Sequence, residues 1–194
     1  MLALLRPIAW INTLILRIGR QLAWIALAVM VVVILAQVFF RYVLNDALSW
    51  PDEAARFLML WMTAFIAPSG MRWGGFVAID MLPRAMPRVP SLSLGLVLLV
   101  LSLAVLVTAV GHGYNHTFGF GGKFDSASLR VPLDWFGYES VKVKLRYMYG
   151  SLLTCVVLLI MVTVELILRM LVALLLPDAD LPADDAPDAM LGAD

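Results

Sequence analysis

Four long apolar runs constrain this chain more than any other feature. They cover residues 22–41, 53–71, 92–110 and 147–168. An α-helix rises about 1.5 Å per residue, so about 20 apolar residues cross a hydrocarbon layer of roughly 30 Å. Inside that layer backbone N–H and C=O groups find no water, and a helix satisfies them internally. The expected fold class is an all-α integral membrane protein with four transmembrane helices. Composition agrees: 62% of residues are hydrophobic and 14% charged, where a soluble domain carries about a quarter charged. A 21.4 kDa globule has too little interior to hide so much apolar surface.

The first run is longer than a signal-peptide core and no small-residue cleavage site follows it, so it is read as a retained helix. Ahead of it, Arg6, Thr13, Arg17 and Arg20 fall along one helical face. Residues 1–20 are therefore either an amphipathic helix in the membrane interface or a cytoplasmic extension of the first span. The first connection holds Asp46, Asp52 and Glu53 without a basic residue, whereas Arg72, Arg84 and Arg88 follow the second span. The positive-inside rule then places both termini in the cytoplasm, as expected of a multi-pass protein of a bacterial inner membrane. Residues 111–146 become external although they carry Lys123, Arg130, Lys142, Lys144 and Arg146. Long translocated segments obey the rule less strictly.

Within that segment Trp135, Phe136, Tyr138, Tyr147 and Tyr149 are rings suited to a headgroup boundary. They predict a short interfacial helix before the last span. The membrane domain is expected to cover residues 1–176. Residues 177–194, rich in Asp, Ala and Pro, are expected to be a disordered acidic tail. Six aspartates lie there; without them fourteen basic residues stand against eight acidic ones, a net of +6. That excess suits membrane lipids as partners and is too scattered for a nucleic-acid surface.

Few residues invite chemistry. Cys155 is alone in an apolar run and reads as a packing residue. His112 and His116 share a helical spacing, but no carboxylate or cysteine lies close by to complete a metal shell. They read as a solvent-facing loop pair, the alternative being a membrane anchor of a respiratory redox enzyme that binds haem or quinone. Neither a nucleophile motif nor a phosphate-binding glycine loop is present. No enzymatic activity, metal or cofactor is predicted.

The most informative stretch is residues 49–56. Ser49 and Asp52 have the spacing of a capping box, and Pro51 suits a first turn. Asp52 and Glu53 precede Arg56 by four and three residues, as helical ion pairs do. Arg56 lies one turn into an apolar run, where a charge either snorkels or meets a neighbour. Gly70 and Gly74 have a spacing that permits close helix approach. Glu165 and Arg169 form a further four-residue pair that would neutralise Glu165.

Together the runs 40–44 (Phe-Arg-Tyr-Val-Leu), 48–50 (Leu-Ser-Trp) and 52–56 (Asp-Glu-Ala-Ala-Arg), then Trp61, Arg72-Trp73-Gly74-Gly75 and Asp80-Met81-Leu82, resemble the DctQ-type small permease subunit of TRAP transporters. These are the tripartite ATP-independent periplasmic transporters of bacteria and archaea. Residues 128–133 give a weaker echo of the proline-containing stretch before the last span. The chain departs from the pattern at Phe76, where a histidine is common, in a longer loop 111–146, and in its acidic tail. The resemblance implies a non-catalytic scaffold that forms a stable complex with a large TRAP permease subunit. A periplasmic substrate-binding protein would dock transiently and deliver an organic acid, such as a C4-dicarboxylate, sialic acid or sugar acid, for sodium-driven uptake. It also implies a subunit interface drawn from Arg41, Trp50, Asp52, Glu53, Arg56, Trp61, Arg72, Gly74, Gly75 and Asp80.

Overall fold

The computed structural model describes residues 2–46, 48–74, 87–131 and 141–175. Four helices carry the chain: α1 (Leu2–Tyr42), α2 (Pro51–Arg72), α3 (Arg88–Phe118) and α4 (Arg146–Leu175). Among the described residues these four are long and apolar enough to cross a membrane. The all-α membrane class expected from the apolar runs therefore holds. The two readings of residues 1–20 resolve toward the extension, because α1 runs without a break from Leu2 through the first span. Its 41 residues make a rod about 60 Å long, roughly twice the hydrocarbon thickness.

α1 packs through one narrow stripe. Leu5, Ala9, Asn12, Leu16, Gly19 and Ala23 are buried, a spacing of three and four that keeps one helical face inward. Small residues on that stripe bring the neighbouring backbone close. A Cβ on Gly19 would sit 3.4 Å from the Phe65 carbonyl oxygen of α2. α4 closes the core against α1 and α2, burying Val156, Val162 and Val172. α3 packs chiefly on α4 and leaves Val97, Val100, Leu101 and Val105 exposed. Beside it, between α2, α3 and α4, runs an apolar groove of about 880 Å³ whose lining includes Leu98, Ser102, Leu166 and Arg169.

α3 continues beyond its apolar run to Phe118, so His112 and His116 are helical residues, not loop residues. His112 Nδ1 lies 3.0 Å from the Thr108 carbonyl oxygen, and the His116 ring lies 5.9 Å from that of Tyr149. A single 3-10 turn, Gly121–Lys123, follows. Strands β1 (Asp125–Val131) and β2 (Val141–Lys144) then pair antiparallel. The segment expected to form an interfacial helix falls mainly on residues 132–140, outside the described residues; the described flanks are this strand pair, and Tyr147 and Tyr149 belong to the first turn of α4. Residues 177–194 also lie outside the described residues.

The 3-10 turn is seated on the end of α3 by glycine. A Cβ on Gly122 would overlap the Thr117 carbonyl oxygen, whereas one on Gly121 would meet none of the described residues within 4 Å. Gly122→Ala should therefore destabilise the folded chain by about 1–3 kcal/mol through overpacking. Gly121→Ala should stay within about 0.5 kcal/mol. Thermal unfolding of the two variants in the same detergent measures the difference.

Candidate functional site

Charges in a membrane helix are tolerated where protein or water surrounds them, and here the inward-turned polar side chains gather at two ends of the bundle. At one end the Glu165 carboxylate of α4 is enclosed. Its Oε1 accepts hydrogen bonds from Arg72 Nη2 of α2 at 2.8 Å and from Arg169 Nη2 and Nε at 2.7 and 2.9 Å. Its Oε2 accepts from Asn12 Nδ2 of α1 at 2.7 Å, and the same Nδ2 reaches the Met161 carbonyl oxygen at 3.1 Å. Arg72 also donates to Thr13 Oγ1 at 2.8 Å and to the Ala9 carbonyl oxygen at 3.3 Å. The Arg72 and Glu165 side chains have 0% exposure and that of Arg169 14%. One carboxylate thus ties α1, α2 and α4 together. Beside it Arg20 lies over the Trp73 ring at 4.8 Å.

At the other end Glu53, in the first turn of α2, reaches β1. Its Oε2 accepts from Ser128 N and Ser128 Oγ, each at 2.6 Å, and from Leu129 N at 2.9 Å. Oε1 accepts from Ala127 N at 3.3 Å. The strand geometry makes this possible. Asp125 pairs with Lys144 and Arg130 with Lys142, so residues 126–129 bulge out opposite Val143 alone. A bulge leaves amides outside the ladder, and here the carboxylate collects three of them. Ser126 Oγ accepts a further bond from Leu129 N at 2.9 Å, which tightens the loop.

The two clusters are one bilayer apart. Glu53 and Arg72 on α2 are separated by about 28 Å of helix, as are Arg146 and Glu165 on α4, close to the hydrocarbon thickness. Between them the described helices are predominantly apolar. The arrangement is that of a membrane part clamped to itself at both faces.

The family model for the DctQ component of the tripartite ATP-independent periplasmic transporters matches residues 30–173. The chain belongs to the DctQ family. No individual curated protein matches it. The matched region includes α2, α3, most of α4 and the last third of α1. It makes this a multi-pass component of a TRAP transporter and lends no support to a redox-enzyme anchor.

The DctQ-like residues are distributed unevenly. Glu53 sits in the β1 clamp and Arg72 is wholly inside the bundle, in contact with α1 and α4. Asp52 does not join a capping box. Trp50 rather than Ser49 is the N-cap residue and makes no side-chain cap bond, so Ser49 stands one residue too early. The Asp52 carboxylate instead accepts from Gln37 Nε2 of α1 at 2.9 Å. With both carboxylates engaged elsewhere, Arg56 is exposed and forms no ion pair with either among the described residues. Arg41 lies over its neighbour Tyr42 at 5.8 Å, and Trp50 is exposed. Trp61 is stacked between Phe57 and Phe65, its buried indole N–H without an acceptor among the described residues. Among the described residues the two glycines do not mediate close approach, since a Cβ at Gly70 or Gly74 would meet none of them within 4 Å. Gly74 is needed for another reason, its φ of +74° where α2 ends. Gly75 and Asp80 lie outside the described residues.

Sequence reasoning paired Glu165 with Arg169 correctly but missed Arg72 and Asn12 as its neighbours, and Thr13 as a partner of Arg72. The available signal was that Arg72 and Glu165 each sit near the end of an apolar run on different spans, an arrangement that favours mutual pairing.

Three variants probe the clusters. Glu165→Ala should cost about 3–5 kcal/mol, since it leaves the Arg72 guanidinium buried without its counter-charge. Arg169→Ala, at a partly exposed position, should cost clearly less in the same denaturation series. Glu53→Ala should speed amide hydrogen exchange at Ser128 and Leu129 by at least about tenfold, as loss of charge-assisted hydrogen bonds worth roughly 1.5–3 kcal/mol implies. Exchange in the middle of α4 should not change.

Proposed function

We propose that this chain is the fixed membrane scaffold of its transporter. It holds a large permease subunit in place while that subunit moves an organic acid inward on a sodium gradient, after capture by a periplasmic binding protein. The observation that carries this reading is the use of the inward-turned polar side chains. Glu53, Arg72, Glu165, Asn12 and Thr13 are spent on ties within the chain. An element braced at both membrane faces suits a stator better than a moving carrier. Its outward faces are apolar along α1 and α3, as expected of surfaces that meet lipid or another subunit's helices.

Arg41, Trp50, Arg56 and Trp61 form the direct contact with the large subunit in this proposal. Asp52, Glu53, Arg72 and Gly74 act through the fold, by setting the ends of α2. Both termini are assigned to the cytoplasm of an inner membrane, with the strand pair on the periplasmic side. The acidic bias of the first connection supports that orientation.

Co-expression of a tagged chain with its large subunit tests the assignment. Arg56→Glu and Trp50→Ala should each lower recovery of the large subunit at least several-fold and reduce uptake in parallel. The thermal stability of the isolated chain should stay the same, because Arg56 and Trp50 are exposed. Unchanged recovery and uptake in both variants would remove these residues from the interface.

A further inference from the structure

Three of the five cations that conflict with the charge bias of the connections meet in three dimensions. Lys123 of the 3-10 turn, Lys144 of β2 and Arg146 of α4 line one small cavity, together with Thr117, Phe118 and Gly122. Its volume is about 100 Å³, room for roughly three waters at liquid density. Among the described residues no carboxylate lines it. None of the three cations forms an ion pair among the described residues. Arg146 donates to its neighbour's phenol, Tyr147 Oη, at 3.1 Å, and Asp125 faces Lys144 only in strand register.

An intrachain reason covers one of them. Lys123 follows the carboxyl end of α3, where a positive charge is favourable. Lys144 and Arg146 stand at the opposite pole of α4, whose first turn has no acidic residue. There the helix dipole opposes them. The cavity is nevertheless built to hold its shape. Gly122 is locked against the carbonyl oxygens of His116 and Thr117, and Leu145 N donates to the Phe124 carbonyl oxygen at 2.9 Å.

Position identifies the kind of anion. The cavity lies where α3 and α4 both leave the apolar layer, and exposed rings surround it. Phe120 is 80% exposed, and Phe118, Phe124 and Tyr147 about half. Rings that stand out beside a cationic cavity at a membrane boundary suit a ligand that is anionic at one end and apolar at the other. We propose that Lys123, Lys144 and Arg146 bind the phosphate of an anionic phospholipid in the leaflet on the strand-pair side, with its acyl chains against Phe118, Phe120 and Tyr147. The site anchors the strand pair to the bilayer at the end opposite the Glu165 cluster.

The test places the full chain in bilayer discs of phosphatidylcholine doped with spin-labelled phosphatidylglycerol or spin-labelled phosphatidylcholine. The wild-type chain should restrict the motion of the anionic label several-fold more than that of the zwitterionic one. The preference should fall about fivefold for each cation removed in Lys123→Gln, Lys144→Gln and Arg146→Gln. Lys123→Arg with Lys144→Arg keeps the charges and should keep the preference. Equal restriction of the two lipids by the wild-type chain overturns the proposal. So does loss of the preference in the arginine pair, which would put the effect down to packing. Abolition by excess inorganic phosphate at constant ionic strength would assign the cavity to a dissolved anion and overturn it as well.

Discussion

A carboxylate removed from water inside a helix bundle is tolerable only when its charge and its lone pairs are all answered. Glu165 meets that condition by drawing on three helices at once: Asn12 from α1, Arg72 from α2, and Arg169 from its own next turn. The geometry of the rest depends on it. Asn12 must face α4, which turns the stripe Leu5, Ala9, Leu16 and Ala23 inward with it. Arg72 must reach inward at the end of α2, which sets where that helix stops and where Gly74 turns. Among the described spans α3 has the least buried window.

The opposite face has its own tie, built differently. Glu53 does not meet a cation; it meets backbone amides that a strand bulge leaves unpaired. A carboxylate with several amide donors is held in one orientation, and the amides gain the partner that the ladder denied them. The strand pair is thereby fastened to the first turn of α2. With one tie at each face and an apolar stretch between, α2 has little freedom to slide along its own axis. That rigidity is what a scaffold in a TRAP transporter would need against a moving partner.

Much of this is legible in the amino-acid sequence. The four spans and the DctQ-type pattern around residues 40–82 follow from apolar run lengths and motif order, which are local properties. The Glu165–Arg169 pair was also readable, because helical periodicity alone brings residues four apart together. The errors share one cause. Ser49 with Asp52, and Glu53 with Arg56, were plausible local partners, but Gln37 and the β1 amides out-competed them from elsewhere in the chain. His112 and His116 were placed in a loop because Gly111 and Gly113 weaken a helix on propensity. In the structure Gly113 lies close to α4, where a Cβ would stand 3.4 Å from Leu153 Cδ1, and α3 continues.

The sequence by itself determined that this chain lives in a membrane, how many times it crosses, and which family it resembles. Hydrocarbon thickness and backbone hydrogen bonding impose those answers on any chain with these apolar runs. Only the tertiary structure decided which charges meet. Arg72 and Glu165 are 93 residues apart along the chain, Asn12 and Glu165 153, and Glu53 and Leu129 76. No periodicity links such residues. Their pairing is selected by desolvation, which makes an unanswered charge too costly to bury and so selects the one packing of α1, α2 and α4 that answers it.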